Sequence, residues 1–98
     1  MNSSSVYRRR SKIIIHPWSK TNMGILIASE PFFILPVDSD DKELGEALLS
    51  ALGESQSGLP HPSDWPAANR SFLSSVGSRS WAEFVKGAVN CLVILRDA

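Results

Sequence analysis

Apolar positions form short runs in the first third of the chain and again at its end, with stripes of helical spacing between them. The early runs, 13–15, 25–28 and 32–35, are rich in β-branched and aromatic residues and are bounded by Gly or Pro, which predicts three short strands. The His16-Pro17 step predicts that the first strand ends there. The last run, 89–95, predicts a strand buried on both faces or nearly so.

Three helices are predicted between the third and fourth strands. Asp40 followed by Glu43 has capping-box spacing, and Ser63 or Asp64 and then Ser80 are the corresponding starts of the second and third helices. Glycines are predicted to end the first two helices. The apolar stripes are Leu44, Ala47, Leu48, Ala51 and Leu52; Trp65, Ala68, Phe72 and Val76; and Trp81, Phe84, Val85 and Ala88.

The element order βββαααβ predicts an α+β fold: a mostly antiparallel sheet of about four strands with helices covering one face. Ninety-eight residues suffice for one core, so 11–98 is interpreted as a single domain. Residues 1–10 are basic, serine-rich and without periodicity, which predicts a disordered tail. Trp65 and Trp81 are predicted in the core, and Trp18 is predicted in an exposed connection.

The chain has no apolar run of about 20 residues and no apolar segment after its basic start, so neither a membrane span nor a signal peptide is predicted. Its one cysteine, Cys91, lies in the last apolar run, where a thiol is expected to be buried. Both features predict a cytoplasmic protein.

Charge is segregated along a chain whose formal net charge is zero. Residues 1–20 contain five Lys or Arg and no acid, whereas 30–54 contain seven acids and one lysine. The acidic segment has two interpretations. It is a face for a basic partner, which local fields would steer toward it, or a solvated helix face with an acid-rich start.

Catalytic motifs are absent from the sequence. There is no nucleotide-binding glycine motif, no G-x-S-x-G and no metal-ligand spacing, so no cofactor, metal site or enzymatic activity is predicted. Two alternatives stay open. His16 and His61 could meet in a small acid-base enzyme, or Arg8–Arg10 could make the chain a regulatory module that contacts nucleic acid.

Five segments, 12–20, 33–36, 43–45, 60–65 and 80–84, carry a family resemblance. In this order they are similar to immunity proteins of contact-dependent growth inhibition systems in Gram-negative bacteria. The resemblance covers 11–97. It implies a cytoplasmic, non-enzymatic inhibitor that binds the C-terminal toxin domain of a cognate effector one-to-one and protects the producing cell.

Many toxins of such systems are nucleases, whose substrate grooves are basic because they hold phosphates. An acidic inhibitor surface would occupy such a groove and accelerate association. The predicted partner is therefore a basic toxin domain, with no nucleic acid or membrane partner. The predicted toxin-binding residues are Glu30, Asp38, Asp40, Asp41, Glu43 and Glu46.

Overall fold

A computed structural model describes the backbone of residues 2–95 and the side chains of 2–65 and 69–94. In chain order the elements are β1 (Asn2–Arg9), β2 (Lys12–Lys20), β3 (Leu26–Ala28), β4 (Phe33–Pro36), α1 (Asp41–Gly53), α2 (Trp65–Val76), α3 (Trp81–Lys86) and β5 (Ala88–Leu95).

The described strands form one antiparallel sheet. β1 lies between β2 and β5, and the other edge of β2 pairs with β4 along its first half and with β3 near its end. The α+β class and the mainly antiparallel sheet are confirmed, with five strands where about four were predicted.

Helices cover both faces of the sheet, which corrects the predicted single covered face. Ile14 packs with Tyr7 against Phe72 of α2 and Phe84 of α3. Ile15, the next residue of β2, packs against Ala47 and other apolar residues of α1 on the opposite face. Because successive strand side chains point to opposite faces, the continuous apolar run of β2 requires cover on both sides.

The segment predicted as a disordered tail forms β1, a central strand. Its buried serines are hydrogen-bonded: Ser4 Oγ donates to the His16 carbonyl at 2.7 Å, and the Trp18 Nε1–H donates to Ser5 Oγ at 2.7 Å. These bonds remove the penalty for burying hydroxyl groups. The boundary predicted at 10/11 is therefore the β1–β2 turn, where Arg10 has a φ of 58°.

β2 continues through Pro17, past the predicted end of the strand. On the edge away from β1, residues 12–15 pair with β4 and residues 18–20 pair with β3. Pro17 lies between these two ladders, where the missing N–H interrupts neither. Trp18 is consequently a half-buried strand residue rather than an exposed loop residue.

β5 is an edge strand that pairs only with β1 among the described strands, which corrects the prediction of a strand buried on both faces. Val89 is 73% exposed and Leu92 54% exposed. Cys91 is exposed as well, contrary to its predicted burial.

Two helix starts follow the local rules that predicted them. Asp40 Oδ1 accepts the Glu43 N–H at 2.8 Å, and Ser80 Oγ accepts the Glu83 N–H at 3.1 Å. Gly77, with a φ of 73°, directly follows α2. None of the described helices is long and apolar enough to cross a membrane.

Candidate functional site

Five of the six predicted toxin-binding residues lie together on the surface. Asp38 and Asp40 occupy the β4–α1 connection, and Asp41, Glu43 and Glu46 occupy the first turns of α1. All five side chains are exposed. In the described part of the chain, none of them forms an ion pair. We call these five residues the acidic surface.

The acidic surface is held in place by backbone contacts and by the packing of α1. The Val37 N–H donates to the Ser11 carbonyl at 3.0 Å, which joins the connection to the β1–β2 turn. Ala47 and Ala51 pack α1 against Ile15. The positive end of the helix dipole favours acids in the first turn, so the charge here also has a structural origin.

An exposed apolar side chain adjoins these acids. Leu49 is 69% exposed and follows Glu46 by three residues on α1, so the two lie on the same side of the helix. A leucine beside several acids resembles the centre and rim of a protein interface, where apolar contact is surrounded by polar residues.

Glu30, the sixth predicted residue, lies apart from the acidic surface. β4 lies between Glu30 and Asp38 in the chain. Its four residues span about 13 Å at the usual rise per residue. Glu30 lines a shallow depression together with Glu54, at the far end of α1. Ser71 of α2 lies 3.5 Å from its carboxylate.

The arginine triplet is divided between the end of β1 and the turn that follows it. Arg8 and Arg10 are exposed, whereas Arg9 is 6% exposed and its guanidinium lies 5.5 Å from the centre of the Phe84 ring. Arg9 also lies 4.0 Å from a carboxylate oxygen of Glu83. It therefore packs between the sheet and α3, leaving two exposed arginines rather than a cluster of three.

His16 is fully buried. Its Nδ1 lies 2.8 Å from the Pro17 carbonyl oxygen, which only accepts, so Nδ1 carries the proton. Nε2 then accepts from the Tyr7 hydroxyl at 3.2 Å. Burial lowers the pKa of His16, opposed by the hydrogen bond to Pro17, and burial raises the pKa of Tyr7, opposed by a hydrogen bond from Ser5.

The two histidines are engaged with different partners. His61 Nδ1 lies 3.0 Å from Thr21 Oγ1, and its ring meets Trp65 edge-on at 5.5 Å. The His16 ring contacts Tyr7, Phe72 and other aromatic side chains, not His61. Within the described residues, no group of three or more His, Cys, Asp or Glu is arranged to hold a metal ion.

Two of the three tryptophans are more accessible than predicted. Trp65 is 36% exposed, and Trp81 is half-buried, although both were predicted in the core. Both line a groove of about 560 Å³ between α2 and α3 that also contains Arg70 and Arg79. Sequence reasoning missed this groove because its residues come from separate helices, although tryptophan and arginine are the residue types enriched in binding hot spots.

No family model and no curated protein matches the chain. A solved structure of a protein of unknown function from Neisseria meningitidis is similar, with 20% sequence identity and a TM-score of 0.66. The superposition covers 93% of this chain and 63% of that one, so this chain spans less than two thirds of that protein's length. The likeness shows that the two chains share a fold.

Proposed function

We propose that this chain is a cytoplasmic immunity protein of a contact-dependent growth inhibition system. It binds the C-terminal toxin domain of its cognate effector as a one-to-one complex and neutralises it without catalysis. The toxin domain is a basic protein, in the first instance a nuclease. The family resemblance suggests this role, and the acidic surface supports it.

The observation that carries the proposal is five exposed carboxylates on one short segment that has Lys42 as its single cation. None of the five carboxylates forms an ion pair among the described residues. A nuclease groove must be electropositive to hold phosphates, so it attracts this segment and can be occupied by it. Exposed Leu49 supplies apolar area beside the charges. Charge then contributes association rate and specificity, while apolar contact contributes lifetime.

The environment of His16 favours binding over the alternative of an enzyme that uses this histidine. Its ring is enclosed and both nitrogens are satisfied by Pro17 and Tyr7. A general base must reach the proton that it abstracts, so a buried, fully bonded imidazole is a poor candidate.

The test is genetic. The toxin domain of the effector encoded beside this gene is expressed in bacteria with or without this chain, and growth is followed. We expect rescue by the chain and none by an unrelated immunity protein. Asp38→Lys combined with Glu46→Lys should abolish rescue, whereas Glu54→Lys, at the other end of α1, should retain it.

Equal killing in the presence of soluble, abundant wild-type chain would contradict the proposed function. Rescue that survives reversal of both charges would retain the immunity role but reject the acidic surface as its basis. Thermal unfolding of each variant separates loss of binding from loss of fold.

A further inference from the structure

Two further depressions, which share lining residues with one another or with the groove between α2 and α3, lie over the sheet. Trp65 and Trp81 line both this groove and a neighbouring depression that reaches Trp18 and Leu26. Trp18 and Leu26 in turn line a third depression. Its other apolar lining residues are Leu92 and Ile94 of β5. We call these three neighbouring depressions together the tryptophan groove.

The charge of the tryptophan groove has one sign. Its three sections are lined by Arg70, Arg79 and Lys20 and by no aspartate or glutamate among the described residues. Arg79 is 93% exposed and pairs with Glu83 at 3.2 Å. Such an exposed pair is worth little, so the arginine stays available to a competing carboxylate.

The apolar part of the groove favours peptide side chains. Leu26 and Ile94 are 46% and 44% exposed. An aliphatic or aromatic side chain of a bound peptide would cover them and remove apolar surface from water. The Trp18 and Trp81 rings meet at 68°, so they do not form the row of parallel faces on which successive bases stack. Three dispersed cations are also few for tracking a phosphate backbone.

We propose that the tryptophan groove binds an extended peptide segment of a partner protein, one that combines acidic residues with aliphatic or aromatic ones. The acids pair with Arg70, Arg79 and Lys20, and the apolar side chains occupy the spaces beside Trp65 and Leu26. The groove lies on the α2 and α3 side of the sheet, opposite α1. The inference is independent of the proposed toxin-binding function and concerns a second surface.

The test begins with a phage-displayed library of random linear peptides selected on the full chain. We expect enrichment of peptides containing Asp or Glu together with Leu, Ile, Phe or Trp. Fluorescence anisotropy of one labelled selected peptide then gives the dissociation constant. Trp65→Ala and Arg70→Glu should each weaken binding roughly tenfold or more, as expected for hot-spot residues.

Matched variants outside the groove serve as controls. Leu49→Ala truncates an exposed apolar side chain on α1, and Arg8→Glu reverses an exposed charge on β1. Both variants should bind the peptide as the wild type does. Failure to select any peptide, selection of basic peptides, or binding that is unchanged in Trp65→Ala and Arg70→Glu would overturn the proposal. Single-stranded poly(U) that binds more tightly than the peptides and responds to the same two variants would also overturn it.

Discussion

The two faces of the sheet carry opposite surface chemistry. On the α1 side, five carboxylates and an exposed leucine lie on one short segment. On the α2 and α3 side, three tryptophans line a groove whose charged residues, within the described part of the chain, are all cations. A formal net charge of zero therefore conceals two surfaces of opposite charge. Because the sheet separates the two surfaces, a substitution in one does not directly contact the other.

The packing beneath the two faces also differs. The α2 and α3 side has a network of aromatic rings, in which Tyr7, His16, Phe72 and Phe84 contact one another. On the α1 side the buried cluster consists of Ile15 and two alanines, and Phe33 is the one aromatic residue packed against them in the described chain. Large rings bury more area each, so we expect more of the folding free energy to reside on the aromatic side.

The largest expected effect is loss of the folded structure, and with it both surfaces, when β1 is removed. Residues 11–98 alone should fail to fold, because β1 supplies the central partner of β2 and β5. Circular dichroism and thermal unfolding provide the measurement. The full-length Arg8→Ala/Arg10→Ala variant, altered only at exposed side chains, should unfold like the wild type. A cooperative transition in the truncated chain would restore the interpretation of 1–10 as a tail.

Next in size is the loss of a buried ring from the aromatic side. Phe84→Ala should lower the free energy of unfolding by about 3–5 kcal/mol, because the ring is fully buried and Arg9 packs on it. Leu49→Ala, at an exposed position of α1, should change it by no more than about 0.5 kcal/mol. Urea denaturation measures both. Equal effects of the two substitutions would break the contrast between core and surface.

The pH dependence of the free energy of unfolding should also reflect the packing on the α2 and α3 side, through His16. Because burial lowers the pKa of His16, the unfolded chain binds its proton more readily. The His16 contribution is therefore fully present above the unfolded pKa of about 6.5 and declines as pH falls below it, by at most about 1.4 kcal/mol per pH unit. His16→Gln, whose amide can donate to Pro17 and accept from Tyr7, should flatten this decline. Urea unfolding at several pH values measures the slope, and identical slopes in both proteins would contradict the assignment.

The smallest expected effect is a difference in stability between two substitutions within the acidic surface. Asp40→Ala should cost about 1 kcal/mol of stability, because the carboxylate caps α1 at Glu43. Glu46→Ala should cost almost nothing, since this side chain is exposed and has no ion pair in the described chain. Thermal unfolding compares the two. A larger loss for Glu46→Ala would show that the surface acids are structural.

Local features of this fold were predictable from sequence, and non-local ones were not. The starts of α1 and α3 follow from side chains three residues apart, and the acidic surface follows from neighbours in one segment. The pairing of β1 with β5 joins residues such as Val6 and Cys91, and no local pattern encodes it. Polar composition concealed β1 because partners distant in sequence satisfy its serines.

The same limit explains the errors at the candidate surfaces. Glu30 belongs to the acidic segment by sequence, but β4 carries the following acids away from it. The tryptophan groove brings together side chains from β2, β3, β5 and two helices. Apolar composition alone assigned Trp65 and Cys91 to the interior, because composition does not identify which strand lies at an edge or where a helix begins on the surface.

The most direct test of the central claim is calorimetric titration of the cognate toxin domain with three variants: Asp38→Lys/Glu46→Lys, Glu54→Lys and Trp65→Ala. We predict that the double reversal raises the dissociation constant roughly a hundredfold, equivalent to about 2.8 kcal/mol of binding free energy. We also predict that the affinity of this variant depends less on salt concentration. Glu54→Lys and Trp65→Ala should bind like the wild type. Wild-type affinity in the double reversal, with weakened binding in Trp65→Ala, would contradict the account and assign the toxin to the tryptophan groove.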